Sequence, residues 1–221
     1  MTPRVTGVVL GLAALIVVSS AVHAQSPPPP AYPPPPAYEW AATAADVPAS
    51  VLFAIALQES GTWLHGRIIP WPWTLNIAGV PSRYATRYEA CAALNSALKH
   101  VPATRIDVGL GQVNVGFHGF RVVHPCQLLN PQRNLSIAAA ILRENHAPGD
   151  DWLIAIGRYH RPAGGVPAAR YRRSVQRHLT RVLGMTHVLG ATHVLGATHV
   201  LGATRVLGAN NTPTLSRRNF P

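Results

Sequence analysis

One lysine, Lys99, stands among 221 residues, so nearly all of the positive charge is arginine. Acids are scarce too: 8 Asp+Glu against 19 Lys+Arg leave a formal charge of +11. That balance favours acidic polymers, namely nucleic acid, anionic membrane or a wall carrying carboxylates, without choosing among them. Cysteine is nearly absent. Cys91 and Cys126 are too few and too widely spaced for a zinc site. In an oxidising compartment they can pair, the alternative being two buried free thiols. No cysteine follows the N-terminal apolar stretch, which argues against a lipid-anchored precursor. The length allows one ordinary domain plus appendages.

What is present begins with an export signal. "MTPR" is a short cationic start, Val8 to Val18 an apolar core, and "AVHA" a small-residue cleavage site ending at Ala24. Residues 1–24 therefore read as a signal peptide; the apolar run is short for an uncleaved membrane anchor. Export to the periplasm lowers the expectation of a nucleic-acid role, and a membrane partner is expected only if the signal stays attached. Residues 25–38 contain "SPPPPAYPPPPAY", expected to hold polyproline II at about 3.1 Å per residue as a stiff spacer. A globular part is expected over 39–184. The tail, 185–221, continues a six-residue repeat that starts at Thr180, "THVLGA". That period fits neither helix nor heptad, and the copies are too few for a solenoid core, so the tail is expected to be disordered. His187, His193 and His199 give it only a weak metal-binding signal.

The globular part reads as mainly α. Asp46 with Pro48 opens a helix running to Ser60, closed by Gly61. "TRYE", Thr86 to Glu89, is a capping box ahead of a helix to His100. Asn134 is a candidate cap for Leu135–Asn145, and Asp150 or Asp151 for a helix carrying Trp152, Ile156 and Tyr159. A basic helix spans about Pro167–Leu183, with Arg170, Arg172, Arg173, Arg177 and Arg181 placed to meet anionic carboxylates or lipid, or simply solvent. A short β-hairpin is expected around Gly79.

Because acids are scarce they can be eliminated singly. Glu39 lies at the linker edge; Asp46, Asp150 and Asp151 occupy cap positions; Glu89 closes the capping box; Glu144 sits at an exposed helix end. Glu59 and Asp107 are left. On its helix Glu59 shares a face with Leu52, Ile55 and Ala56. An inward carboxyl at a helix C-terminus has its charged form disfavoured by desolvation and by the helix dipole. A general acid working near neutral pH needs that tuning. A helix-end glutamate turned to solvent is the alternative.

Four stretches change that balance: "ALQESG", "PWPWTLNIAG", "DVGLGQVN" and "AIGRYH", in this order. Together they resemble the catalytic domain of soluble lytic transglycosylases, above all the specialised forms serving conjugation and secretion machines. The similarity covers about Trp40 to Val175. It implies a lysozyme-like, mainly helical fold of the goose-lysozyme type, with a cleft for the glycan strands of peptidoglycan. Glu59 matches the family's catalytic glutamate and Ser60 the serine after it. Gly109, Leu110, Gly111 and Gln112 match a Gly-Leu-Met-Gln motif, with Gly111 in place of methionine. The resemblance makes Gln112 a sugar ligand, helped by Asn114. Arg158, Tyr159 and His160 match Ala-Tyr-Asn, which implies that the Tyr159 phenol orients the glutamate; His160 departs from the motif. Asn76 and Trp73 resemble cleft-wall positions, and Trp71 and Trp73 read equally as core or sugar platforms.

The implied chemistry needs one carboxylate. Most glycosidases use two. A lytic transglycosylase uses one, because the sugar's own C6 hydroxyl attacks the anomeric carbon and gains effective molarity. No cofactor or metal is called for. Two other readings stay open. Asp107 facing Glu59 makes an inverting, lysozyme-type hydrolase, although a turn or cap role suits its place before Gly109. A basic exported protein with a spacer and repeat tail also fits a wall-binding scaffold of a secretion apparatus that does not cut.

Overall fold

The computed structural model describes residues 31–184. The leader, the first proline run, the repeat tail and its three histidines lie outside the described residues. In chain order the elements are α1 (Pro36–Ala44), α2 (Ala49–Ser60), β1 (Gly61–Leu64), β2 (Arg67–Pro70), β3 (Thr74–Ile77), β4 (Val80–Arg83), α3 (Arg87–Ala97), β5 (Ile106–Val108), β6 (Val113–Asn114), α4 (Val115–His118), α5 (Pro131–Glu144), α6 (Trp152–His160) and α7 (Gly165–Val182). The fold is mostly helical with two small antiparallel sheets.

Helix α2 is the axis. Val51 through Leu57 are all buried, so it is apolar on every side, as a helix enclosed by others must be. Helices α7 and α1 and strand β2 pack around it. Its first turn carries Pro48 as N-cap, while Asp46 sits in the preceding turn at φ 53°. The folded region starts earlier than Glu39. Tyr38 on α1 is buried, and the rings of Tyr32 and Tyr38 both meet Phe53 edge-on, so the end of the proline-rich stretch belongs to the core.

Two hairpins follow. The β1–β2 turn places His65 and Gly66 at φ 47° and 77°, and the β3–β4 turn places Ala78 and Gly79 at 55° and 92°. Positive φ at both central residues matches the right-handed strand twist, which is why two-residue hairpins use this turn. The second hairpin is the one expected around Gly79; the first carried no alternation to reveal it. The larger sheet runs β4-β3-β5-β6. Its register lines up Pro81, Asn76, Asp107 and Asn114 across successive strands. Leu75, Ile106, Val108 and Val113 point to the other face and are buried. One side of the sheet is thus core and the other carries polar groups.

The capping box at Thr86 and Glu89 is present, and Asp151 caps α6. Asn134 does not cap α5. That helix begins four residues earlier, at Pro131, with Asn130 accepting from the Arg133 N–H. Asn134 lies inside the helix, buried, and its amide is used elsewhere. Cys91 and Cys126 form a disulfide with Cα atoms 5.3 Å apart. Closing that loop stabilises the chain by about 3–4 kcal/mol on the chain-entropy account. Among the described residues no single helix is long and apolar enough to cross a membrane.

Candidate functional site

A cleft of about 570 Å³ lies between the polar face of the larger sheet and the ends of α2, α5 and α6. Glu59, Asn76, Asp107, Gln112, Asn114, Tyr159 and His160 all border it. A depression of similar size near Arg87 and Arg133 contains no acid, so the chemistry belongs to the first cleft.

Glu59 enters from the last turn of α2, half-buried. The Tyr171 hydroxyl, from α7, donates to its Oε1 at 2.5 Å. Removal from water pushes the Glu59 carboxyl up to about 7, and the charge of Asp107 adds to the rise, while the Tyr171 bond opposes both. A carboxyl with that value is populated in both protonation states at neutral pH, as a group that gives and regains a proton must be. Burial raises the Tyr171 phenol well above its ordinary range, so it remains a donor.

The Tyr159 hydroxyl does not meet Glu59. It donates to the Gly111 carbonyl at 2.7 Å, which leaves the bond to the glutamate to Tyr171. Tyr171 was hidden because it interrupts an arginine run. Its signal is the apolar spacing Ala168, Tyr171, Val175, Leu179 and Val182 that faces the core. The His160 ring stacks on that of Tyr171, centroids 4.5 Å apart and nearly parallel, and burial lowers its imidazole below the usual value.

The Gly109–Gln112 turn is held from behind by Asn134. Its Oδ1 accepts from the Gly111 N–H, and its Nδ2 donates to the carbonyls of Val108 and Leu128, all at 2.8–2.9 Å. The fit explains both glycines. Gly109 has φ +81°, and a Cβ there would meet Asn134 Nδ2 at 2.3 Å. At Gly111 a Cβ would meet Ala138 Cβ at 2.6 Å and Tyr159 Oη at 2.9 Å. No gap is left at position 111 for a larger side chain, because Ala138 and Tyr159 occupy the space. Gln112 adopts φ 45°, an uncommon conformation for a side-chain-bearing residue and one met at functional sites. Its Nε2 donates to the carbonyls of Gly109 and Thr74, and its Oε1 has no hydrogen bond among the described residues.

Asn114 borders the cleft but is heavily used by the protein. Its Nδ2 donates to Asp107 Oδ1 and Thr104 O, and its Oδ1 caps α4. Asp107 is a strand residue facing the cleft, not a turn or cap; burial raises its carboxyl while the Asn114 bond lowers it. Asn76 reaches the cleft with its Oδ1 accepting from the Gly79 N–H. Two expected contacts are absent. Ser60 is fully buried, its hydroxyl 2.8 Å from the Leu110 carbonyl, tying α2 to the glycine turn. Trp73 packs half-buried on the core beside Trp71, away from the cleft border. The exposed aromatic ring at the cleft is Phe117, 65% exposed. Among the described residues no three His, Cys, Asp or Glu side chains group as metal ligands would. No family model, curated protein or solved structure matches the chain.

Proposed function

We propose that the chain is a peptidoglycan lytic transglycosylase with a lysozyme-like fold, exported to the periplasm to open the wall locally for a secretion or conjugation machine. The observation that carries this reading is Glu59: a carboxyl poised at about 7, held by Tyr171, in a cleft bordered by residues of all four motifs. The disulfide suits an oxidising compartment.

In the proposed reaction protonated Glu59 gives its proton to the glycosidic oxygen between N-acetylmuramic acid and N-acetylglucosamine, and the C1–O bond breaks. The muramyl C6 oxygen bonds to the anomeric carbon, and its proton passes to the Glu59 carboxylate. The acid is restored, no water is consumed, and a 1,6-anhydro end results. Gln112 and Asn76 are positioned to take sugar hydroxyl or amide groups, with Phe117 available as a stacking surface.

Mass spectrometry of digested sacculi tests this. Anhydro ends, lighter than reducing ends by one water, are expected. Reducing ends would transfer the assignment to the second reading, a hydrolase with Asp107 directing water. That reading has a specific basis, since Asp107 faces the same cleft and its charge acts on Glu59. Binding to sacculi without release of either product would leave the scaffold.

The pH profile gives a further prediction. The acid step needs protonated Glu59, so the rate falls as pH rises through about 7. The Tyr171 bond favours the charged form, so Tyr171→Phe raises the carboxyl further. The falling limb of kcat is expected to move to higher pH in the variant. The maximal rate drops roughly tenfold from lost positioning. A limb that stays in place, or moves down, would detach Tyr171 from the titrating acid.

A further inference from the structure

Helix α7 has two opposite faces. Ala168, Tyr171, Val175, Leu179 and Val182 are buried against the core. At about 100° per residue, Arg170, Arg173, Arg177 and Arg181 fall within one narrow arc on the other side, joined by Val166 at its start. All four arginines are exposed, and Val166 is 68% exposed. From Arg170 to Arg181 the arc runs about 16 Å along the helix. All eight acids of the chain lie between Glu39 and Asp151, hence within the described residues. The ion pairs there use Arg121, Arg143 and Arg158, and none uses an α7 arginine. Among the described residues Arg177 bonds only the Arg173 carbonyl and the Ser174 hydroxyl. None of the clefts described above reaches this face.

The position of the chain ends adds a second observation. Gly184, just beyond α7, lies against Ala31, where a Cβ on Gly184 would be 3.0 Å from the Ala31 Cβ. The two ends of the described residues therefore meet at one corner, at the Arg181 end of the stripe. Arg67 stands over the Tyr32 ring at that corner. We infer that the arginine face of α7 is a docking surface for an anionic phospholipid bilayer, holding the domain flat against the membrane. A straight, convex row of guanidinium groups suits a flat field of phosphates, which arginine grips in bidentate fashion. The apolar Val166 at the far end can enter the interface. This surface works independently of the cleft chemistry.

Vesicle co-sedimentation tests the inference on the chain from Gln25 onward, with its tail, so that the leader cannot contribute. Binding is expected to vesicles of phosphatidylcholine with about a third phosphatidylglycerol, to vanish on neutral vesicles, and to weaken steeply with salt. Each arginine near the surface is worth about a fivefold change in binding. Arg170→Gln with Arg173→Gln, or Arg177→Gln with Arg181→Gln, should each lower affinity by about 20-fold, and all four together by on the order of 100-fold or more. Melting temperature and sacculus clearing in solution should stay at parent values. A control removes four exposed charges elsewhere: Arg83→Gln, Lys99→Gln, Arg105→Gln and Arg133→Gln. Equal loss in the control would reduce the effect to net charge and overturn the inference. So would parent-like vesicle binding by the quadruple α7 variant, or loss of sacculus binding in its place, which would make the wall the occupant.

Discussion

Glu59→Gln is expected to lower turnover on sacculi by about a thousandfold, the middle of the range for removal of a positioned acid. Glutamine keeps the shape and can still pair with Tyr171, so the loss isolates the proton. The same variant should be more stable than the parent at alkaline pH, and the sign follows from the carboxyl. Its folded value of about 7 stands above the ordinary 4.5, so the folded state holds a proton that the unfolded chain releases. That contribution is complete below about 4.5 and is lost as pH rises through about 7. The parent therefore sheds up to about 3 kcal/mol across this window, and the glutamine variant does not. Denaturant melts at pH 5 and pH 8.5 would read the difference. A variant that still clears sacculi within tenfold of the parent removes Glu59 from the mechanism. One that is less stable at both pH values shows that its inactivity reflects damage to the fold.

The second large effect is structural. Asn134→Ala leaves the Gly111 N–H and the carbonyls of Val108 and Leu128 without their partner in a buried setting. At roughly 1–3 kcal/mol for each such group, partly relieved by water entering the space, stability should drop by about 3–6 kcal/mol. Because those bonds hold the turn that presents Gln112, KM for glycan strands should rise as well. Urea unfolding with parallel kinetics reads both. A loss under about 1 kcal/mol would mean that the turn keeps its shape by itself.

Asn134 also marks where the sequence was hard to read. An asparagine ahead of an apolar stripe has the signature of a helix cap, and local pattern cannot show that the helix starts at Pro131 and turns this amide inward. The helices with periodic apolar faces were legible, as were the Thr86–Glu89 box and the Gly79 hairpin, because local chemistry decides them. Helix α1 was missed because prolines dominate its approach, although Tyr38, Ala41 and Ala42 carry its buried face. Tyr171 was missed for a related reason: flanking arginines suggest solvent, while the spacing of its apolar neighbours points inward. The nearness of Glu59, Gln112, Asp107 and Tyr159 depends on sheet register and helix docking. No single stretch encodes that, and for Asp107 the local pattern before Gly109 pointed to a turn instead.

The crowding around Gly111 carries a lesson for engineering. Position 111 and its neighbours at 138 and 159 share one fixed volume, so a change at one must be met by a change at another. Grafting the methionine of the look-alike motif into this chain alone would wedge the turn open rather than restore a lost contact. Only a coordinated exchange, with space conceded opposite, would move the protein from one solution to the other.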